Sequence, residues 1–287
     1  MESFFTFLEK RVDDCSSLLC VGLDPHVDDL PSPTPAAALE FCLRLVTATA
    51  PYAAAFKPNA AFFEVFGSEG WAALKQVIEA IGEESQRLGS RIPVILDAKR
   101  GDIASTAQAY ARSAFETLGA HGITLSPYLG QDSIEPFIQD PEKGVFLLCK
   151  TSNPGSGDLQ DLIVDHGQSS SGIPLYQHVA HLAGQWNTRN NIGLVVGATY
   201  PDTLANVRQA APDLWFLAPG VGSQGGDLES ALRAGLRADG KGMLINVSRG
   251  ISRAKDPKQA AAELRDEILN VKRGFHHEDT EYTRKTS

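Results

Sequence analysis

Short apolar runs alternate with longer amphipathic stretches along almost the whole chain. Eight runs read as strands: residues 18–23, 53–56, 92–97, 122–126, 145–149, 192–196, 215–218 and 243–247. Most are continuously hydrophobic, the pattern of parallel strands covered by helices on one face and packed inward on the other. Helical periodicity fills the intervals, at residues 36–50, 71–88, 103–118, 175–186, 201–210 and 227–234. A repeated strand–helix unit without an obvious break predicts an α/β fold, a single (β/α)8 barrel of the TIM type over residues 1–274. The stretch 153–174, rich in Gly, Ser and Asp, reads as an extended loop after the fifth strand. Residues 275–287 are polar and unpatterned and read as a frayed tail.

Such a barrel carries its chemistry where strands end and the following loops begin. The polar residues of interest fall there. Asp24 follows the first strand, Lys57 the second, and Asp97-Ala98-Lys99 the third. Ser152 follows the fifth, Gly220-Val221-Gly222 the seventh and Arg249 the eighth.

Composition narrows the function classes. Of 287 residues, 43% are hydrophobic and 21% charged, ordinary values for a globular chain with a sizeable core. The net charge of −9 argues against nucleic acid as a partner. An anionic substrate would need positive groups concentrated locally. The start, Met1 to Lys10, is apolar but short and flanked by acids, and is expected to be a helix and not a signal peptide. No apolar run approaches the ~20 residues that span a bilayer, so no membrane partner is expected. Four cysteines without a CxxC pair are expected to be buried free thiols in a reducing cytoplasm. His276-His277-Glu278-Asp279 could bind metal but sits in the polar end and is read as solvated.

The densest chemistry lies in Leu96-Asp97-Ala98-Lys99-Arg100-Gly101-Asp102-Ile103. Asp97 and Lys99 stand two apart near a strand end, so both side chains should project to one side. Lys57, ending the neighbouring strand, can lie beside Asp97. Read alone, Lys57 could equally be a snorkelling strand-end lysine. So many charges beside apolar strands are costly unless mutually paired. Asp102 precedes a helical pattern and, on local sequence, reads as its N-cap. Near the other end, Pro219-Gly220-Val221-Gly222-Ser223-Gln224-Gly225-Gly226-Asp227 follows a strand and opens a helix, a setting in which backbone amides can approach an anion. Arg249 can bind phosphate bidentately. Gly220-x-Gly222-x-x-Gly225 also matches the dinucleotide fingerprint, but the next strand ends in Ser248-Arg249 and not in an acid.

Asp97-x-Lys99-x-x-Asp102-Ile103-x-x-Thr106 resembles, position for position, the catalytic motif of the orotidine 5′-phosphate decarboxylase family. The resemblance covers nearly the whole chain. It includes Gly22-Leu23-Asp24-Pro25, Phe56-Lys57-Pro58-Asn59, Leu148-Cys149-Lys150-Thr151-Ser152-Asn153-Pro154-Gly155 and Pro219-Gly220-Val221-Gly222, and is similar to the family's longer, second bacterial type. It implies a cofactor-free and metal-free decarboxylase of orotidine 5′-monophosphate, acting in UMP synthesis. It implies that Lys57, Asp97, Lys99 and Asp102 form the catalytic array, with Asp102 and Thr106 supplied by the second subunit of a homodimer. It further implies that Gly222, Gln224 and Arg249 hold the phosphate, Asp24 a ribose hydroxyl and Ser152 the pyrimidine edge. On local sequence alone Asp24 is equally a turn residue before Pro25. Ser152 could serve only as a loop-start hydrogen-bonding residue, and Thr106 as an ordinary first-turn threonine. Two rivals stay open: a related metal-dependent barrel acting on sugar phosphates, which would need further carboxylates for Mg²⁺, and a non-catalytic nucleotide-binding barrel.

Overall fold

The computed structural model describes residues 2–165, 172–221 and 227–285, with side chains as far as Gly274. Eight strands form one parallel sheet: β1 Leu19–Leu23, β2 Ala55–Pro58, β3 Ile95–Arg100, β4 Gly122–Leu125, β5 Gly144–Lys150, β6 Ile192–Val196, β7 Phe216–Pro219 and β8 Met243–Val247. Their order around the sheet is β2-β1-β8-β7-β6-β5-β4-β3. Two parallel bridges, Phe56 with Val94 and Asn59 with Asp97, join the first and last strands of that order and close the barrel. The predicted barrel is therefore the observed one.

Helices return the chain between strands, chiefly Pro35–Thr49, Gly67–Leu88, Ala104–Arg112, Gln131–Ile138, Leu175–Trp186, Pro201–Ala210 and Leu228–Gly235. Thr34 caps the first of these by accepting from Ala37 N–H, and Pro35 follows where a missing N–H costs nothing. None of the helices among the described residues is long and apolar enough to cross a membrane.

The N-terminal helix Phe4–Cys15 closes the barrel's bottom, starting from Ser3, whose hydroxyl accepts from Thr6 N–H. Phe4 and Phe5 are fully buried; Phe5 stacks on Trp215 at 6.2 Å, and both meet Phe146 edge-on. The strand starts leave room for them. A Cβ on Gly144 would fall 2.1 Å from the Phe4 ring, and one on Gly122 would fall 3.1 Å from it. All four cysteines are free and buried, as expected.

Several boundaries differ from the sequence reading. β2 and β3 run on through Lys57, Asp97 and Lys99, which the reading put at or beyond the strand ends. A ladder is made by backbone groups, so β2 stays paired through Lys57, opposite Gly22, and β3 resumes its pairing at Arg100, opposite Leu125. The stretch 153–174 carries its own structure: a 3-10 turn Pro154–Ser156, a short helix Gly157–Gln160, and an antiparallel pair of Ile163–Val164 with Ile173–Pro174. At the C-terminus, helix Pro257–Lys285 carries helical backbone through most of the segment read as a tail. That segment contains no proline, and a helix already nucleated propagates through polar residues at little cost.

Candidate active site

The site begins with an irregularity in β3. In the pairing with β4, Leu96 faces Ile123 and Arg100 faces Leu125. Asp97, Ala98 and Lys99 therefore lie opposite Thr124 alone, a bulge of three residues against one. Lys99 adopts a left-handed backbone, φ 47°, which costs a non-glycine residue on the order of 1–3 kcal/mol. The bulge strips Ala98 and Lys99 of ladder acceptors. Thr124 replaces them, its hydroxyl oxygen accepting Ala98 N–H at 3.1 Å and Lys99 N–H at 3.0 Å. The same hydroxyl donates to Asp97 Oδ1 at 2.9 Å.

Asp97 is the hub. Lys57 Nζ donates to its Oδ2 at 2.7 Å, and Lys99 Nζ to its Oδ1 at 2.5 Å. Lys57 is only 4% exposed and Asp97 8%, whereas the Lys99 side chain is 50% exposed and reaches the cavity mouth. Asp24 stands 3.9 Å from Lys57, and its own Oδ1 is buried without a hydrogen bond among the described residues. Burial alone would raise the Asp97 carboxyl, but Lys57 and then Lys99 outweigh it and hold Asp97 well below the usual carboxylate range. Burial would likewise lower Lys57. Asp97 first and Asp24 second override it and hold the ammonium above the usual lysine range. Lys57 and Asp97 are therefore both held in their ionised forms across neutral pH.

These charges open into a cavity of about 660 Å³ at the C-terminal ends of the strands. Leu148, Val195 and Leu217 give it apolar wall, while Ser152, Gly220 and Arg249 line it from the loops after β5, β7 and β8. Six residues singled out in the sequence thus meet around one space: Asp24, Lys57, Asp97, Lys99, Ser152 and Arg249. Gly222 and Gln224 lie outside the described residues. Asp102 and Thr106 do not line this cavity; Thr106 is exposed on helix Ala104–Arg112.

The capping role read for Asp102 is corrected. Ile103 occupies the N-cap without a side-chain cap bond, and the Asp102 carboxylate instead accepts the N–H of Ile103 at 2.8 Å. Ala104, φ 48°, starts the helix one residue too late for Asp102 to reach its first-turn amides.

Some lining residues escaped the sequence reading. Thr124 and Asn246 are polar positions inside the otherwise apolar runs of β4 and β8. That contrast was the available signal. Asn246 Oδ1 is buried without a hydrogen bond among the described residues. Gln160 lines the cavity from the long loop, accepting Thr151 N–H at 2.9 Å and donating to Thr151 Oγ1 at 2.9 Å. Lys150 ties that loop down by donating to Asp161 Oδ1 at 2.7 Å and Ser156 Oγ at 3.2 Å. His26 and Phe62, edge to face at 4.3 Å, complete the rim. No local pattern pointed to Gln160, His26 or Phe62.

A closed parallel barrel with paired lysines and an arginine around one C-terminal cavity defines a barrel enzyme built for a small anionic ligand. The family model for orotidine 5′-phosphate decarboxylase / HUMPS matches residues 17–264. The orotidine 5′-phosphate decarboxylase of Roseiflexus castenholzii is 49% identical over 277 residues, covering 93% of this chain and 97% of that protein. Among solved structures, Leishmania donovani OMP decarboxylase superposes with a TM-score of 0.83 at 57% identity, covering 94% of this chain and 98% of that one. A Toxoplasma gondii structure described as a putative orotidine-monophosphate-decarboxylase gives 0.88 at 45% identity, covering 95% and 97%. The chain belongs to the orotidine 5′-phosphate decarboxylase / HUMPS family.

Proposed function

We propose that the chain converts orotidine 5′-monophosphate to uridine 5′-monophosphate and carbon dioxide, with Lys99 delivering the proton to C6. The observation that carries this is the Lys57–Asp97–Lys99 array, fully paired at 2.7 and 2.5 Å and opening into the cavity that Arg249 also lines. When the C6–carboxyl bond breaks, its electron pair stays on C6 in an in-plane orbital that the ring π-system cannot delocalise. Fixed positive charge aimed at that atom is what lowers the barrier. The Lys99 ammonium supplies it, then forms the C6–H bond by giving up a proton that water later restores. Asp97 and Lys57 hold Lys99 in place.

The remaining contacts follow from the same pose. Arg249 grips the 5′-phosphate beside the Gly220 loop, with Gly222 and Gln224 as its further partners. Asp24, whose Oδ1 has no hydrogen bond among the described residues, accepts a ribose hydroxyl. Ser152 reads the pyrimidine edge. Binding energy gained at the phosphate helps to organise the reacting end. Asp102 and Thr106 lie away from this cavity, and Ile103 beside them is 54% exposed; both features favour a homodimer in which that segment completes the partner's site. The four free thiols favour a cytoplasmic setting.

Purified protein with EDTA, incubated with orotidine 5′-monophosphate, tests the reading. Turnover insensitive to the chelator is expected, and a chelator-dependent loss would favour the metal-assisted rival. Lys99→Ala should lose nearly all turnover yet still bind UMP; parent-like turnover in that variant would refute the assignment.

A further inference from the structure

The geometry points to Thr124 as a positioning residue that sets the direction of Asp97 and the backbone of Lys99 through one hydroxyl. This rests on the decarboxylation reading above. Thr124 sits between Ile123 and Leu125 on β4 and is 1% exposed. A valine would suit such an apolar strand position at least as well, so the hydroxyl calls for a reason. A threonine hydroxyl has one proton and two lone pairs. Here both lone pairs are taken, by the amides of Ala98 and Lys99 at 3.1 and 3.0 Å. The proton is then left a single direction, onto Asp97 Oδ1 at 2.9 Å. That is the oxygen which also receives Lys99 Nζ.

The consequence runs through Lys99. Its φ of 47° is not a conformation the residue takes unaided. It is held where the bulge puts three residues against Thr124. Without the hydroxyl, the amides of Ala98 and Lys99 lose their acceptor and Asp97 Oδ1 keeps only Lys99 to orient it. The carboxylate can then swing about its Lys57 contact and carry the ammonium off line. Catalysis is sensitive to shifts of about 1 Å, which can cost on the order of 100-fold. Phosphate binding uses other residues and is not touched.

The test compares the parent with Thr124→Ser, Thr124→Val and Thr124→Ala, measuring kcat, KM and the number of UMP sites per subunit by calorimetry. The parent must first turn over orotidine 5′-monophosphate; if it does not, the decarboxylase reading fails and this inference with it. Given parental turnover, Val and Ala should lose roughly 10- to 100-fold in kcat with full UMP stoichiometry and little change in KM. Ser should stay within a few-fold of the parent. Should Thr124→Val not fold, Thr124→Ala, which lacks the same hydroxyl, decides the matter. Parental kcat in the hydroxyl-free variants overturns the inference while leaving the decarboxylase reading intact. So does a kcat loss that merely tracks lost UMP sites, or a Ser variant as impaired as Val.

Discussion

Replacing Asp97 by asparagine removes the negative centre of a buried charge cluster while keeping its shape. Lys57, 4% exposed, is then left with Asp24 at 3.9 Å as its remaining carboxylate. Breaking a buried ion pair from one side destabilises by about 3–5 kcal/mol. Asp24 retains part of the attraction, so the lower end, about 3 kcal/mol, is expected. For a chain of this size that corresponds to a fall in Tm of ~6 °C, at ~2 °C per kcal/mol. The pH dependence has a definite sign. Asp97 is held below its ordinary value, so its contribution is present above the carboxylate range and is lost as pH falls through its depressed value. Lys57 is held above its ordinary value, so its contribution is present below the lysine range and is lost as pH rises through its raised value. The gap between parent and variant should therefore be flat across neutral pH and narrow in strong acid. Urea and thermal unfolding followed by circular dichroism, without nucleotide, measures it; bound ligand would mask the difference by mass action. Turnover should fall in parallel. A double variant, Lys57→Met with Asp97→Leu, should recover much of the stability and none of the activity. If Asp97→Asn unfolds within about 1 kcal/mol of the parent at neutral pH, the pair is not desolvated and the reasoning fails.

Gly144→Ala would drive a Cβ to 2.1 Å from the buried Phe4 ring, an overpacking expected to cost about 1–3 kcal/mol or more. Denaturant unfolding should show this, with partial recovery on adding Phe4→Leu; unchanged stability would mean that the N-terminal helix does not plug the barrel. Arg249→Ala should weaken UMP binding roughly tenfold, the low end for a charged hydrogen bond because Arg249 is exposed, and leave uridine binding unchanged. Calorimetry with the two ligands separates them, and equal losses for both would remove Arg249 from the phosphate.

The fold was legible because parallel strands covered by helices announce themselves as unbroken apolar runs. Six of the eight barrel strands agree with the predicted runs to within one residue at each end. β1 starts one residue late but ends as predicted at Leu23; the larger differences are at β2 and β3. Those are the strands whose ends carry Lys57, Asp97 and Lys99. Hydrophobicity marks where a strand packs, whereas the ladder is drawn by the backbone, so charged ends were trimmed from the prediction. Helix Gln131–Ile138 was missed for a related reason: it is short and contains Pro136. The site's charged members were legible through their clustering. Its neutral members, Thr124, Asn246 and Gln160, were not, because a hydroxyl or amide gains meaning only from what it faces across strands.

Lys99 shows how a correct pairing can be reached through an incomplete reason. Regular alternation would send residues two apart to the same side, and that argument does bring Asp97 and Lys99 together. Yet the strand between them is not regular: it bulges, and Lys99 turns left-handed. A regular β3 would continue its ladder along Thr124 and need no side-chain acceptor there. In the bulged strand one threonine hydroxyl replaces the lost ladder contacts and at the same time fixes the carboxylate that grips the lysine. The departure from strand geometry and the placement of the ammonium are thus one feature. It follows that straightening the bulge, by any substitution that removes the Thr124 acceptor, should disturb Lys99 before it disturbs the barrel, whose closing bridge of Phe56 with Val94 lies outside the bulge.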